Sequence, residues 1–259
     1  MSDLSRIVLV TAGGSGIGLA IAKHFAARGY RVHICDIAQQ AIDVLKSEHP
    51  DITATCADVS QVTQVDKVFD DLQRLYGGLD ILVNNVGIAG PTAAVEDILP
   101  EDWDNTINID LNSIFYVTRK AVPLLKKSKG NMINMSSNAG LFGFPLRSPY
   151  AAAKWAIIGL TKTWAMELGP HGVRVNAICP GSVNGPRIDR VVDLDAKTRG
   201  VSSQSIRDVY LRQNSLRVFV EAENIAETID FLCSKSAQHI SGQAIPIDGH
   251  TEGLSNWLD

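Results

Sequence analysis

The sequence predicts an α/β fold: a doubly wound parallel sheet of about seven strands with helices on both faces, built as one domain over residues 1–259. Three observations carry this. Short β-branched runs alternate with longer helical patterns along the whole chain. The strand runs are continuously apolar instead of alternating, which is how strands buried on both faces read. A run dense in glycine, TAGGSGIG at residues 11–18, stands between the first strand and the first helix.

In order, RIVLVT is the first strand, and IGLAIAKHFAARG is a helix that stops at Gly29. The strands RVHICD, ITATCAD, LDILVNN, NMINMSS and VRVNAICPG follow, each succeeded by polar or helical sequence, and AIPID closes the sheet. SPYAAAKWAIIGLTKTWAMELG reads as one long helix. No repeat, low-complexity tract or linker marks a second domain. The stretch at about 181–217 is polar, arginine-rich and expected to be irregular; a segment of that length in a compact domain is typically a lid.

Composition narrows the function. At 45% hydrophobic and 20% charged residues, the chain has enough apolar sequence for a well-buried core. A formal charge of -4 gives no general reason to bind nucleic acid or an anionic membrane, so neither partner is expected. The N-terminus has the wrong flanks for a signal peptide and no long apolar run follows, making a cytoplasmic location the expectation. Cys35, Cys56, Cys179 and Cys233 are scattered singly among apolar neighbours and read as small core residues. The histidines show no ligand spacing, so no metal is expected.

The glycine run opens a helix whose first N–H groups are unpaired and carry partial positive charge, so a phosphate can sit there if the backbone comes close. Asp36 ends the second strand 18 residues after Gly18, where its carboxylate would accept hydrogen bonds from ribose hydroxyls. The bland alternative is that Asp36 merely opens a turn. A carboxylate there repels a 2'-phosphate, and Ser15, Ile37 and Ala38 offer that phosphate no cation. NAD is therefore the expected cofactor, not NADP.

Tyr150 and Lys154, four apart on the long helix, share one face. A phenol with a reference pKa near 10 must have its phenolate stabilised by roughly 4 kcal/mol to act as a base near pH 7. A neighbouring ammonium acts in that direction. Ser137, thirteen residues before Tyr150, ends the strand NMINMSS at the carboxyl edge of the sheet, where open α/β folds bind ligands.

TAGGSGIG, ADVS, NNVG, the serine strand, YAAAK and the PG of CPGSV together resemble the motifs of the short-chain dehydrogenase/reductase family over nearly the whole chain. The resemblance implies a Rossmann-like, seven-stranded subunit that assembles as a homotetramer and transfers hydride between a nicotinamide and a small-molecule alcohol or ketone. It implies that Tyr150 moves the hydroxyl proton, Ser137 holds the substrate oxygen, and Lys154 assists Tyr150 and binds the nicotinamide ribose. Cofactor contacts would come from Gly13, Ser15, Gly16, Ile17 and Gly18, with Asp58 and Val59 at the adenine. Asn85, Val86 and Gly87 would line the cofactor, and Pro180, Gly181 and Val183 would face the carboxamide.

Four positions depart from the family pattern. Ala12 replaces a glycine, at little cost if its φ is negative. Val86 replaces an alanine, and Gly185 falls where many relatives have threonine. Asp110 stands where the family usually has an asparagine that completes a catalytic tetrad, a role implied to use mainly the backbone carbonyl. Substrate candidates are Asn138, Phe144, Arg147, Arg187 and Arg190, with Phe142 and Leu146 extending an apolar wall. The arginines would grip an anionic or polyhydroxylated substrate; alternatively they pair with Asp189, Asp193 or Asp195 on a solvated surface. Reduction of a 3-oxoacyl thioester is the alternative enzymatic reading, although relatives in that role generally use NADPH. A non-catalytic dinucleotide-binding or scaffold protein is the alternative of another class.

Overall fold

The computed structural model describes residues 6–254, so Trp257 and Leu258 of the tail lie outside the described residues. Its seven strands are β1 (Ile7–Thr11), β2 (Arg31–Asp36), β3 (Thr53–Cys56), β4 (Ile81–Asn84), β5 (Asn131–Met135), β6 (Arg174–Pro180) and β7 (Ala244–Ile247). They form one parallel sheet in the order β3-β2-β1-β4-β5-β6-β7, with Val10 level with Ile34 on one side and Val83 on the other. The order reverses between β1 and β4, which opens a crevice at the carboxyl edge of the sheet. That crevice is stitched by side chains: Thr11 Oγ1 accepts the Asn85 N–H at 2.9 Å, and Asn85 Nδ2 donates to the Thr11 carbonyl at 3.0 Å.

Helices α1 (Gly16–Ala27), α2 (Gln39–Glu48) and α9 (Ala222–Cys233) cover one face, burying Phe25, Ile42 and Ile229 against the sheet. On the other face, α3 (Val62–Tyr76), α5 (Ser113–Ser128) and the end of α6 (Ser148–Leu168) bury Leu72, Val117 and Leu168. The short α4 (Pro100–Ile107) precedes α5. Strands β1, β4 and β5 are buried throughout, but β5 is not the continuous apolar run expected: buried Asn134 accepts from Asn84 Nδ2 at 2.9 Å and donates to Thr161 Oγ1 at 2.9 Å; the edge strands β3 and β7 are half-exposed. Cys35, Cys179 and Cys233 are core residues, while Cys56 on edge strand β3 is only half-buried.

The segment expected to be irregular is instead mostly helical. It folds into α7 (Pro186–Arg199) and α8 (Ser203–Arg212). Proline in the first turn of α7 gives up no hydrogen bond, and Ser202 caps α8 by accepting the Ser205 N–H at 3.1 Å. Val192, Ala196, Ile206, Tyr210 and Phe219 form a separate small core beneath the pair, with Phe144 packed against it.

One buried network makes stability depend on acid. His33 on β2 has no solvent exposure and bonds to Thr53 Oγ1 at 2.7 Å and Thr55 Oγ1 at 3.0 Å. Burial pushes its pKa down to about 4, although Asp71 nearby acts in the opposite direction. The unfolded chain takes up this proton near pH 6.5 and the folded chain resists it until about pH 4. The stabilising contribution is therefore complete above pH 6.5 and is lost as pH falls through that window. Between pH 6.5 and 4.5, stability in urea titrations should fall by about 2 kcal/mol more in the wild type than in His33→Gln. Equal slopes for the two proteins would contradict this assignment.

Candidate active site

Ser137 stands two residues past the end of β5 and caps a single helical turn, accepting the Ala139 N–H on its Oγ at 3.1 Å. That bond occupies a lone pair and leaves the hydroxyl proton available for donation. The preceding Ser136 donates to the Lys154 carbonyl at 2.8 Å and so fastens the end of β5 to α6. A Cβ on Gly140 would meet that same carbonyl oxygen at 2.6 Å, so the loop can lie against α6 only with glycine there.

Tyr150 sits in the first turn of α6, and Lys154, one turn on, places Nζ 5.4 Å from the Tyr150 ring centre. The ammonium donates to the Met135 carbonyl at 3.2 Å and lies 3.6 Å from Asp110 Oδ2. Asp110 arrives from a π-helical turn, Asn108–Asn112, between α4 and α5. Its Oδ1 accepts the Ile88 N–H at 2.7 Å, and the residue has no solvent exposure. Burial raises its pKa above the usual carboxylate range, with Lys154 opposing that shift. The side chain thus has contacts of its own, which the sequence reading, with its emphasis on the backbone carbonyl, did not assign.

A cleft of about 630 Å³ runs from α1 to α7. Ser15, Gly16 and Ile17 wall one end, Asn85 and Gly87 the floor, and Ser137, Tyr150 and Lys154 the middle. Pro180, Gly181 and Val183 close one side, and Asn138, Phe144, Arg147, Arg187 and Arg190 also face it. Phe142 and Leu146 do not line this cleft, which corrects the expected apolar wall. Leu146 is held at φ +66° with its carbonyl accepting the Ala93 N–H at 3.1 Å.

The first turn of α1 contains no acidic side chain, and Ser15 makes no side-chain cap, so its N–H groups face the cleft without a competing anion. Gly16 has φ +54°, and a Cβ there would project into open space. Gly13 and Gly18 serve protein packing: their Cβ atoms would strike Ile34 and the Ala12 carbonyl. Ala12 itself has φ +50°, not the negative value expected. Its carbonyl, bonded by Asn85 Nδ2 at 3.2 Å, and the Gly13 N–H, bonded to Cys35 O at 3.1 Å, fix that turn at a cost of about 1 kcal/mol.

Asp36 lies beyond the cleft at the end of β2. Its oxygens accept the Gly14 and Ala38 N–H groups, both at 2.9 Å. Asp58 bonds the Ser60 N–H at 2.9 Å, while Val59 is buried, which leaves its backbone as the part that could touch a nucleotide. The Val86 side chain likewise packs into the core under α3 and α5 instead of lining the cleft. Gly185 precedes α7 with φ +134°, a conformation a threonine would find strained.

The arginines divide. Arg147 is buried and committed: it donates to the Ala89 carbonyl at 3.1 Å, sits over the Phe144 ring and touches Tyr210. Arg187 and Arg190 are exposed at the cleft mouth on one face of α7, with Arg187 donating to the Gly87 carbonyl at 3.2 Å. The acids once available to them are engaged elsewhere. Asp189 pairs with Arg207, Asp195 with Arg199, and Asp193 accepts from Ser203. Sequence reading missed Tyr210, Asn214 and Thr251, which line the same cleft from other segments without any motif to mark them. Among the described residues no cluster of three or more His, Cys, Asp or Glu could hold a metal, and no helix is long and apolar enough to cross a membrane.

Comparison with known proteins agrees with this geometry. The family model described as enoyl-(acyl carrier protein) reductase matches residues 11–251. A D-beta-hydroxybutyrate dehydrogenase of Cupriavidus necator is 36% identical, covering 94% of this chain and 96% of its own. A 3-oxoacyl-[acyl-carrier-protein] reductase of Thermotoga maritima is 34% identical over 94% and 96% of the two chains. The crystal structure of an NAD+-bound xylitol dehydrogenase superposes with a TM-score of 0.89 at 28% identity, covering 93% of this chain and 97% of that one. The chain belongs to the short-chain dehydrogenase/reductase family of oxidoreductases.

Proposed function

We propose that the protein is an NAD(H)-dependent oxidoreductase that moves a hydride between the nicotinamide and a secondary alcohol or its ketone. The observation that carries this reading is the convergence of Ser137, Tyr150 and Lys154 on a cleft whose other end is the uncapped start of α1. Bound nicotinamide would supply the hydride donor or acceptor. Everything else falls to this chain's residues. The N–H groups of the first turn of α1 would take the pyrophosphate, and Asp36 the adenosine ribose. Asn85, Gly87, Pro180, Gly181 and Val183 would bound the nicotinamide end. Ser137 would donate its hydroxyl proton to the substrate oxygen while Tyr150 takes or returns the substrate's proton. Lys154 would stabilise the phenolate and hold the nicotinamide ribose.

Asp36 supports NAD over NADP, because its charge would meet a 2'-phosphate and the adjacent Ile37 and Ala38 supply no compensating cation. Arg187 and Arg190, neither of them paired with a carboxylate among the described residues, support a small hydroxylated substrate bearing a carboxylate or several hydroxyls. The hydroxybutyrate and xylitol dehydrogenases among the relatives act on compounds of those two kinds. Reduction of a 3-oxoacyl thioester, the activity named for the Thermotoga maritima relative, is the second reading. A non-catalytic scaffold role would leave Ser137, Tyr150 and Lys154 without a purpose. Exposed Trp103, Phe115, Trp155 and Met166 on α4, α5 and α6 support assembly, with a homotetramer in the cytoplasm as our reading.

The test is a panel of hydroxy acids, polyols and neutral secondary alcohols, followed by reduction of NAD or NADP. We expect NAD to be preferred, and Asp36→Ala to weaken NAD use and relax the rejection of NADP by about tenfold or more. A wild type that prefers NADP would overturn the cofactor assignment. A best substrate that is neutral and apolar would overturn the role given to the arginines.

A further inference from the structure

The contacts around Asp110 assign it a task that an asparagine in its place could not perform. Oδ1 accepts the Ile88 N–H at 2.7 Å, which an amide oxygen would do equally well. Oδ2 differs. It has no solvent contact and no hydrogen bond, and what faces it is the Lys154 ammonium at 3.6 Å. An asparagine bonded to Ile88 in the same way would turn an NH2 donor toward an NH3+ donor. Aspartate therefore adds an attraction where the amide adds none.

We propose that Asp110 is a positioning residue that holds Lys154 in a buried ion pair and thereby weakens the ammonium's pull on the Tyr150 phenol, setting the enzyme to work at more alkaline pH than its Asp110→Asn form. The inference rests on the reading of Tyr150 as the proton-transfer group. The elements packed around Lys154 contribute few other charges. Arg187 on α7 acts on Asp110 from the cleft mouth. Asp248, after β7, has its carboxylate turned to the His250 and Thr251 N–H groups. Cys179 on β6 is kept a neutral thiol by burial, which pushes it up to about 11. Tyr150, on the same helix, is the group acted upon. Asp110 is thus the one carboxylate in direct contact with the ammonium among the described residues. When ionised it offsets much of the positive charge that the phenolate would otherwise feel.

The experiment is a pH titration of the phenolate's ultraviolet difference absorbance in protein without nucleotide, with the Tyr150 signal isolated by subtracting a matching Tyr150→Phe background. We expect the midpoint to lie about one pH unit lower in Asp110→Asn than in wild type. The kcat/KM profile on the best substrate should shift to acid by a similar amount, with its plateau reduced no more than about tenfold. In a Lys154→Met background, Asp110→Asn should no longer move the midpoint, because the buried carboxyl, having lost the cation that keeps it ionised, takes up a proton and is as neutral as the amide. Asp110→Ser, smaller and uncharged, carries the same expectation if the asparagine variant does not fold. Identical midpoints in wild type and variant would overturn the proposal, as would a shift of equal size without Lys154. Because the absorbance is read without turnover, an inactive preparation would count against the proposed reaction and leave this readout intact.

Discussion

Replacing Tyr150 by phenylalanine is expected to lower turnover by at least about a hundredfold and to leave NAD affinity within about threefold of wild type. The change removes one oxygen. The ring, half-buried in the first turn of α6 and 5.4 Å from Lys154 Nζ, stays in place, so the walls of the cleft keep their shape. What disappears is the group able to exchange a proton with the substrate hydroxyl; Ser137 offers only a donor bond, and Lys154 is turned to the Met135 carbonyl and Asp110. Single-turnover and steady-state rates give the first quantity, and quenching of tryptophan fluorescence by NAD gives the second. Turnover near that of wild type would end the assignment of Tyr150.

Gly18→Ala should be as damaging by a different route. Its Cβ would sit 2.1 Å from the Ala12 carbonyl oxygen and 2.6 Å from Asn85 Nδ2, and a backbone atom cannot yield as a flexible side chain does. Relief requires α1 to move away from the turn after β1, which breaks the Asn85 bonds to Thr11 and Ala12 and tilts the helix start that would receive the pyrophosphate. Overpacking in a fixed site costs typically 1–3 kcal/mol. We expect NAD affinity to fall by about a hundredfold and the thermal midpoint to drop by several degrees. Gly169→Ala at the end of α6 is the control: its backbone is already helical and a Cβ there meets nothing within 4 Å, so stability should hold. An NAD affinity for Gly18→Ala equal to that of the control would show that the turn is softer than its contacts imply.

The sheet was legible in the sequence because most strands are short, largely apolar or β-branched runs bounded by polar residues, and the candidate catalytic pair because Tyr150 and Lys154 stand one helical turn apart. The helices at 186–212 were obscured by composition. The apolar positions Val192, Ala196, Ile206 and Tyr210 are diluted among charges, and Phe144, which packs against them, lies more than forty residues upstream. The positive φ of Ala12 has no local signal either; it follows from bonds that Asn85 and Cys35 make from neighbouring strands. The side-chain role of Asp110 stayed hidden because its partner, Lys154, is distant in sequence and a π-helical turn brings them together. Val59 and Val86 were expected at the cofactor, yet both stand in the loops just past β3 and β4 with their side chains packed on the core.

The small core beneath α7 and α8 makes that pair a cassette. Its apolar contacts are largely internal, and it joins the body through a few links: Arg187 to the Gly87 carbonyl, Arg207 to Asn184 and over the Phe219 ring, and Tyr210 to Arg147. Exchanging residues 186–212 for the matching segment of a relative is therefore expected to leave the sheet and the cleft beside it standing, which the thermal midpoint of the chimaera would check. On the proposed function, such an exchange would change which substrates are accepted while Ser137, Tyr150 and Lys154 stay as they are.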